Sequence, residues 1–210
     1  MMGGEKADIE IHDPPYGMDL DTDFSGMESK MFKGKTGGAS YAPIHGDNED
    51  FNPSHLLASK CKELFLWGAD YYCERIASKN DGSWFVWDKR LDESADKMWG
   101  SCFETLWSKS PHKRDMIRVK WAGIFGMEGE PDKERIHPTQ KPVKVYTWLL
   151  EKYSKAGDIT ADYYLGGASH LIAAENLSRQ CRAVEISPAY VAVALQRYLD
   201  AFGIRAELVE

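Results

Sequence analysis

The last third of the chain alternates between helical and strand-like segments, and this alternation restricts the fold more than any other feature of the sequence. After Pro142, apolar residues recur with the spacing of a helix face until Gly157 ends the pattern. A strand, a helix and a second strand follow at 159–162, 169–179 and 182–186. A final amphipathic helix begins after Ser187 and ends at Gly203. This order of elements predicts a parallel sheet with crossover helices.

The first half of the chain continues the alternation with shorter segments. Its predicted strands cover 7–13, 64–67 and 84–88, and its predicted helices cover 51–63 and a short stretch from Asp70. Aromatic-rich segments at 102–107 and 116–121 suit antiparallel strands or a hairpin. We therefore predict the α/β class: a Rossmann-like sheet with helices on both faces and a small β-rich insertion.

The size of the chain fits one domain covering 1–210. Its 210 residues are 43% hydrophobic and 12% aromatic, which is enough to bury a full core. No apolar run of about 18 residues and no basic-then-apolar N-terminal segment is present, so we expect a soluble intracellular protein without a membrane span or signal peptide. Residues 17–50 show no periodicity and predict a flexible loop. The cysteines and histidines are too scattered to predict a metal site.

One stretch in the middle of the chain is basic, although the formal net charge is −7. That charge argues against a general polyanion-binding surface, so contact with nucleic acid needs a local patch. The candidate patch is interleaved with Trp107 and Trp121, and it consists of Lys109, His112, Lys113, Arg114, Arg118 and Lys120. The other interpretation is a solvated strand face with ordinary lysines.

The tetrapeptide Asp13-Pro14-Pro15-Tyr16 directly follows the first predicted strand. Two successive prolines carry no N–H, so the carbonyls of this turn are free to accept hydrogen bonds. Asp13 adds a carboxylate acceptor, and Tyr16 adds a flat face on which a base gains roughly 1–3 kcal/mol by stacking. The tetrapeptide is therefore suited to hold a planar base by its exocyclic amino group. The alternative is an ordinary Pro-Pro turn with an Asx cap and a core tyrosine.

The glycine turn at 165–168 has the layout of a nucleoside-cofactor site. Glu185 follows it by about 20 residues, at the end of the next strand, where an acidic side chain can reach ribose hydroxyls. The start of the helix between them favours an anionic group. Because the pattern is not G-x-G-x-x-G, the alternative is that the glycines only turn the chain and that Glu185 is a solvated strand end.

Several segments of the chain fall in one characteristic order. They are the tetrapeptide, His-Pro-Thr-Gln-Lys-Pro at 137–142, and the segments at 157–162, 171–177 and 184–190. In this order the chain resembles the S-adenosylmethionine-dependent DNA amino-methyltransferases, in the permuted class often called beta, with hints of a small phage or prophage member. The resemblance implies a methyltransferase fold, S-adenosylmethionine as cofactor and double-stranded DNA as partner. It also implies the cytoplasm of a bacterium or a phage-infected cell, and it is compatible with a homodimer.

The resemblance implies roles for the residues of the tetrapeptide. Asp13 and the carbonyl of Pro14 would accept hydrogen bonds from the amino group of a flipped adenine, Pro15 would keep the turn rigid, and Tyr16 would stack on the ring. Adenine N6 is favoured over cytosine N4 because the motif begins with Asp, where many cytosine enzymes have Ser. The basic patch would belong to a target-recognition insertion near 105–135.

The resemblance also implies a set of cofactor-binding residues. Asp162, Leu165 and Gly166 would hold the methionine side of the cofactor, and Glu185 would bind the ribose hydroxyls. The residues at the far end of the methionine moiety would be Thr139, Gln140, Lys141 and Pro142.

The glycine motif departs from the family pattern at three positions. Tyr163 stands where the family usually has Pro, Ala168 where it has a second Gly, and His170 where it has a small hydroxyl residue. The methyl group of Ala168 would hinder a close backbone approach and would be strained at positive φ. Two functions therefore stay open: an active DNA adenine methyltransferase, and a catalytically impaired relative that binds DNA or regulates. The tetrapeptide and Glu185 favour the first, whereas the altered turn and the short segment before Asp13 favour the second.

Overall fold

The computed structural model describes residues 4–25, 40–97, 100–121 and 136–209. The strands within these ranges are β1 Ile9–His12, β2 Glu63–Trp67, β3 Ser83–Asp88, β4 Phe103–Ser108, β5 Met116–Arg118, β6 Ile159–Asp162 and β7 Gln180–Ala183. They form one seven-stranded sheet in the order β5-β3-β4-β2-β1-β6-β7. Strand β4 is antiparallel to both of its neighbours, and the other strand pairs are parallel.

Helices connect the strands and begin and end at residues with suitable backbone geometry. They are α1 Ser54–Leu57, α2 Val143–Tyr153, α3 Ser169–Asn176 and α4 Pro188–Phe202, with single 3₁₀ turns at Cys73–Arg75 and Glu93–Ala95. Helix α2 follows Pro142, and α4 carries Pro188 in its first turn, where a missing N–H costs no hydrogen bond. Gly203 ends α4 in the left-handed region, at φ +69°.

Each face of the sheet has its own apolar cluster. On one face, the fully buried side chains of Ile9, Phe65 and Trp87 pack with α2 and α3. On the other face, Leu64 and Leu66 pack with α1 and with the chain that follows β2. Burying one such side chain stabilises the fold by roughly 1.5–3 kcal/mol. The predicted α/β fold, with helices on both faces of the sheet, is confirmed.

The topology creates a crevice beside β1, the strand that carries the tetrapeptide. The chain proceeds from β1 to β2 on one side, whereas β6 pairs with the other side of β1 and leads outward to β7. Crossovers leave in opposite directions at such a point, so their loops diverge above the carboxyl ends of the strands. The tetrapeptide follows β1 and the glycine turn follows β6, so both open onto this crevice.

Three element predictions differ from the structure. The helix predicted over 51–63 is a single turn, α1, because Ser59 donates to Glu10 Oε1 and accepts from the Cys61 amide, which turns the chain toward β2. Strand β5 is parallel to β3 rather than part of an antiparallel hairpin. Strand β7 ends at Ala183, so Glu185 lies beyond it.

The predicted loop and insertion are described only in part. Residues 17–25 and 40–50 contain an isolated antiparallel bridge between Asp23 and Ser40. Strands β4 and β5 belong to the main sheet. The rest of the predicted loop, 26–39, and the rest of the predicted insertion, 122–135, lie outside the described residues. None of the helices in the described part is long and apolar enough to span a membrane.

Candidate active site

A cavity of about 550 Å³ opens at the carboxyl edge of the sheet, between the tetrapeptide and the glycine turn. Most of the predicted site residues line it: Asp13, Pro14, Pro15, Tyr16, Thr139, Gln140, Lys141, Leu165, Gly166 and Glu185. Pro142 and Asp162 do not line it. The two motifs, which are about 150 residues apart in sequence, thus share one cleft because β1 and β6 are adjacent parallel strands.

Asp13 makes close polar contacts at the base of the cavity. Its Oδ1 accepts a hydrogen bond from the Tyr16 hydroxyl at 2.5 Å and lies 2.5 Å from the Lys141 ammonium. Lys141 Nζ also donates to the Tyr16 hydroxyl at 3.1 Å and lies 5.0 Å from the ring centroid of Trp67. Lys141 was predicted to hold the cofactor, and its ammonium faces the tetrapeptide.

Glu104 adds a second carboxylate beside Lys141. Its Oε2 lies 3.1 Å from Lys141 Nζ, and its Oε1 forms an ion pair with Lys89. Burial raises the pKa of the Glu104 carboxyl, but Lys141 and Lys89 outweigh burial and hold the pKa at about 2. Burial raises the pKa of Asp13 above its ordinary value even though Lys141 lies beside it. The cluster therefore keeps Glu104 ionised and leaves Asp13 the more basic carboxylate.

The ring of Tyr16 is held by close packing. A Cβ atom at Gly68 would lie 2.3 Å from two atoms of that ring, and Gly68 has φ +60°, so this position requires glycine. The ring stacks on Tyr71 at 5.1 Å between centroids and 14° between planes. Tyr71 is 54% exposed at the mouth of the cavity. Two stacked aromatic rings thus line this side of the cavity.

Asp47 orders the backbone that follows the tetrapeptide. Its Oδ1 accepts from the amides of Tyr16, Gly17 and Met18 at 3.1–3.3 Å, and its Oδ2 accepts from the amide of Leu20 at 2.9 Å. The residue is only 6% exposed. One carboxylate therefore satisfies four amides and fixes the turn.

Glu185 closes the glycine turn through hydrogen bonds to two backbone amides. Its Oε2 accepts from the Gly166 amide and its Oε1 from the Ser187 amide, both at 2.8 Å. Gly166 has φ +51°, and Ala168 adopts φ +64° although it is fully buried and not glycine. Strain was expected at Ala168 if its φ is positive, and the φ is positive.

Asp162 lies behind the glycine turn rather than in the cavity. It is 1% exposed; its Oδ1 accepts from the Tyr164 amide at 2.9 Å, and its Oδ2 lies 3.2 Å from His170 Nδ1. His170 in turn contacts Thr160 Oγ1 at 2.6 Å, so the unusual histidine fills a polar position in the core. The proposal that Asp162 contacts the cofactor directly is not supported by this placement, because both of its oxygens are engaged below the turn.

Gln140 places an unpaired donor in the cavity wall. Its Oε1 accepts from the Ile136 amide at 2.9 Å, and its Nε2 is buried without a hydrogen-bond partner among the described residues. A buried amide N–H without a partner costs about 1–3 kcal/mol, so this group is suited to donate to a ligand.

The six basic residues of the predicted patch do not lie together. Lys109 Nζ donates to the Cys61 carbonyl at 2.8 Å, and His112 Nε2 lies 3.0 Å from Glu63 Oε2, so both are at the amino edge of the sheet. Lys113 and Arg114 follow His112 there. Arg118 lies opposite Asp88 in the strand register, at the carboxyl end of β3. Lys120 follows it toward the edge of the sheet where the cavity opens. Strand β5, which is parallel to β3, carries the chain from the amino edge to the carboxyl edge and divides the patch.

The comparisons with known proteins agree with this geometry. A family model described as "DNA methylase", N6_N4_Mtase, matches residues 76–196, which is more than half of the chain. The chain belongs to this family. The tetrapeptide lies before the matched span. No curated protein matches the chain significantly.

Three solved structures illustrate the likeness of the fold. The PvuII DNA methyltransferase (cytosine-N4-specific) has a TM-score of 0.60 at 14% identity, over 94% of this chain and 81% of that chain. TTHA0409, a putative DNA modification methylase from Thermus thermophilus complexed with S-adenosyl-L-methionine, has a TM-score of 0.53 at 14% identity, over 100% and 95%. The M1.HpyAVI–SAM complex has a TM-score of 0.50 at 18% identity, over 91% and 89%. Identities this low show likeness of fold alone.

Sequence reasoning missed several residues of this DNA methylase site. Glu104 and Lys89 were not singled out, because a single acid in a β-prone segment and a lysine after a strand are common. Asp47 lies in a loop whose sequence shows no periodicity, and Tyr71 lies in a short turn. Glu104 reaches the cavity because β4 is antiparallel and begins at the carboxyl edge of the sheet.

Proposed function

We propose that this DNA methylase transfers a methyl group from S-adenosylmethionine to the N6 amino group of adenine in double-stranded DNA. The observation that carries the proposal is the single cavity that joins Asp13-Pro14-Pro15-Tyr16 to the glycine turn and Glu185. A methyl donor and an amino acceptor must meet within one site for direct transfer. The family match and the fold neighbours support the same reaction class.

One observation indicates that the residues of the cavity wall fit the cofactor. Gln140 Nε2 is buried and has no hydrogen-bond partner within the described residues. This donor suits the carboxylate of the methionine moiety, and Glu185 retains acceptor capacity for ribose hydroxyls beside the two amides that it already binds. Thr139, Leu165 and Gly166 complete the same wall. When bound, the cofactor supplies an electrophilic methyl group.

The protein's own contribution is orientation and charge. Asp13 and the Pro14 carbonyl would accept the two amino hydrogens of the target base, which aims the nitrogen lone pair at the incoming carbon. Positive charge that develops on the nitrogen lies next to a carboxylate, and this stabilises the transition state. Because burial raises the pKa of Asp13, this carboxylate is suited to accept the proton that the methylated amine then loses.

Adenine is our choice over cytosine because the tetrapeptide begins with Asp13. The sizes of the two bases do not decide the matter in a cavity of about 550 Å³. Methylation of DNA followed by enzymatic digestion and chromatography of the nucleosides would identify N6-methyladenine or N4-methylcytosine directly. N4-methylcytosine as the product would overturn the adenine assignment and keep the rest of the proposal.

The decisive test replaces Asp13. We expect D13N to lower labelled-methyl transfer to mixed-sequence DNA by at least about 100-fold, because an amide cannot accept both the hydrogen bond and the proton. Calorimetry should show unchanged affinity for S-adenosylmethionine, since Asp13 lies on the base side. The matched control is D21N, an exposed Asp in the following loop that caps the Asp23 amide. Transfer by D13N at the rate of D21N would contradict the assignment.

A catalytically impaired, DNA-binding relative is the second candidate, and the strained turn at Ala168 favours it. This candidate predicts DNA binding without methyl transfer and without measurable affinity for S-adenosylmethionine. Calorimetry with the cofactor alone separates the two candidates before any DNA site is known.

A further inference from the structure

The Lys141 ammonium occupies one of the hydrogen-bonding positions on the carboxylate that the proposed function gives to an amino-bearing base. It lies 2.5 Å from Asp13 Oδ1, the same oxygen that accepts from the Tyr16 hydroxyl. A carboxylate oxygen offers about two lone pairs, so Oδ1 is saturated by these two donors. A base that binds Asp13 through this oxygen must displace one of them. The Tyr16 ring is packed tightly against Gly68, so Lys141 is the donor that moves.

Glu104 offers Lys141 a second acceptor at short range. Glu104 Oε2 is buried and lies 3.1 Å from Lys141 Nζ, so the ammonium is already shared between the two carboxylates. The other oxygen, Oε1, is already fixed by Lys89. One oxygen of Glu104 is thus held by Lys89, while the other lies close enough to Lys141 to keep the ammonium when it leaves Asp13.

The surrounding rings would keep the ammonium in the pocket during this exchange. Lys141 Nζ lies 5.0 Å from the ring centroid of Trp67 and 5.7 Å from that of Tyr16, within the range of cation–π attraction. Lys141 is only 5% exposed, so leaving for solvent would require repacking. The exchange between two carboxylates is therefore a local one.

We propose that Glu104 is a positioning residue that takes over the Lys141 ammonium when the amino group of the target base binds Asp13. The inference rests on the proposed function in one respect, that Asp13 binds an exocyclic amino group. Glu104 also balances the charge of Lys141, which would otherwise oppose the positive charge that develops on the nearby nitrogen. Strand β4 supplies this acid because it is antiparallel and begins at the carboxyl edge.

The test measures nucleoside binding, so it does not depend on turnover. Deoxyadenosine and deoxyinosine, which lacks the amino group, are titrated into the full chain and followed by NMR. Wild type should prefer deoxyadenosine. E104Q should weaken deoxyadenosine binding at least tenfold, because Lys141 then stays on Asp13, and should leave deoxyinosine binding within about threefold. The matched control is E63Q, which removes a partly buried acid at the opposite edge of the sheet.

The double variant E104Q/K141M separates positioning from a structural role. Removing the competing ammonium should restore deoxyadenosine affinity to within about threefold of wild type. A structural defect would instead persist or deepen. Should E104Q not fold, E104D carries the test: its shorter carboxylate should give a three- to tenfold loss, and an affinity equal to wild type would overturn the proposal.

The remaining outcomes distinguish a failure of the proposed role of Glu104 from a failure of the proposed methyl transfer. Equal affinities for E104Q and E63Q, with methyl transfer by wild type, would overturn the role of Glu104 alone. The predicted order of affinities without any methyl transfer would support that role and overturn the proposed reaction. No preference for deoxyadenosine in wild type would overturn both, since Asp13 would then not bind the amino group.

Discussion

At the scale of single residues, Ala168 is the clearest departure from what its position requires. It is fully buried at φ +64° and ψ +21°, a conformation that costs a non-glycine residue about 1–2 kcal/mol. The turn nevertheless keeps its shape, because Glu185 holds the Gly166 amide and Arg197 donates to the Gly167 carbonyl and to Ser169 Oγ. Contacts from outside the turn therefore offset the strain within it.

Replacing this alanine should improve the turn. We expect A168G to raise the free energy of unfolding by up to about 1 kcal/mol, since strain relief exceeds the added entropy of the unfolded chain. We also expect tighter binding of S-adenosylmethionine by calorimetry. A174G, at a buried helical position of α3, is the matched control and should lose about 1 kcal/mol. Equal losses in the two variants would show that the left-handed alanine is not strained.

At the scale of elements, a buried polar chain joins β1, β6 and α3 beneath the site. His12 lies 3.2 Å from Glu10 Oε2 and accepts from the Tyr163 amide at 3.2 Å, while Asp162 lies between His12 and His170. Burial raises the pKa of Asp162, but the neighbouring imidazoles of His12 and His170 outweigh burial and bring the pKa to about 2. His170, which differs from the family pattern, thus lies beside an ionised aspartate in the core.

The pH dependence of the free energy of unfolding should reveal the contribution of this buried polar chain. Because the folded-state pKa of Asp162 lies below its ordinary value of 3.8, its contribution is present above about pH 4 and is lost as pH falls through about 2. A shift of this size corresponds to about 2 kcal/mol. Urea unfolding of wild type should therefore lose about 2 kcal/mol more than D162N over that range. The exposed D200N control should follow wild type, and an identical slope for D162N would contradict the assignment.

At the scale of the whole molecule, the carboxyl edge of the sheet gathers the chemistry. The tetrapeptide, the glycine turn, Glu104 at the start of β4 and the His137–Lys141 segment all meet there. The amino edge receives Lys109 and His112, which are held by Cys61 and Glu63. DNA that delivers a base to the cavity has to approach the carboxyl edge.

Charge reversal on the two edges should have different effects. R118E/K120E, on the cavity side, is expected to lower DNA affinity at least about tenfold at low salt and to reduce the slope of log affinity against log salt by about two. K113E/R114E, the same charge change at the amino edge, should leave both quantities near wild type. Filter binding across a salt series measures them. A larger loss for K113E/R114E would place the DNA on the opposite edge.

The sequence alone determined the local features of this DNA methylase. The spacing of Tyr146, Leu149 and Tyr153 defines α2, and the alternation at the C-terminus gives the parallel crossover, because helical and strand periodicity and turn residues act over a few residues. The tetrapeptide and Glu185 were also recognisable, since their chemistry is carried by adjacent residues or by a fixed spacing.

The tertiary structure alone decided which of these features meet. It placed Asp162 in the core and the Lys141 ammonium beside Asp13, brought in Glu104 and Asp47, and separated Lys109 from Lys120. Each of these outcomes depends on the direction and order of strands that are distant in sequence. Strand order is set by the burial of both sheet faces together, which no local pattern records.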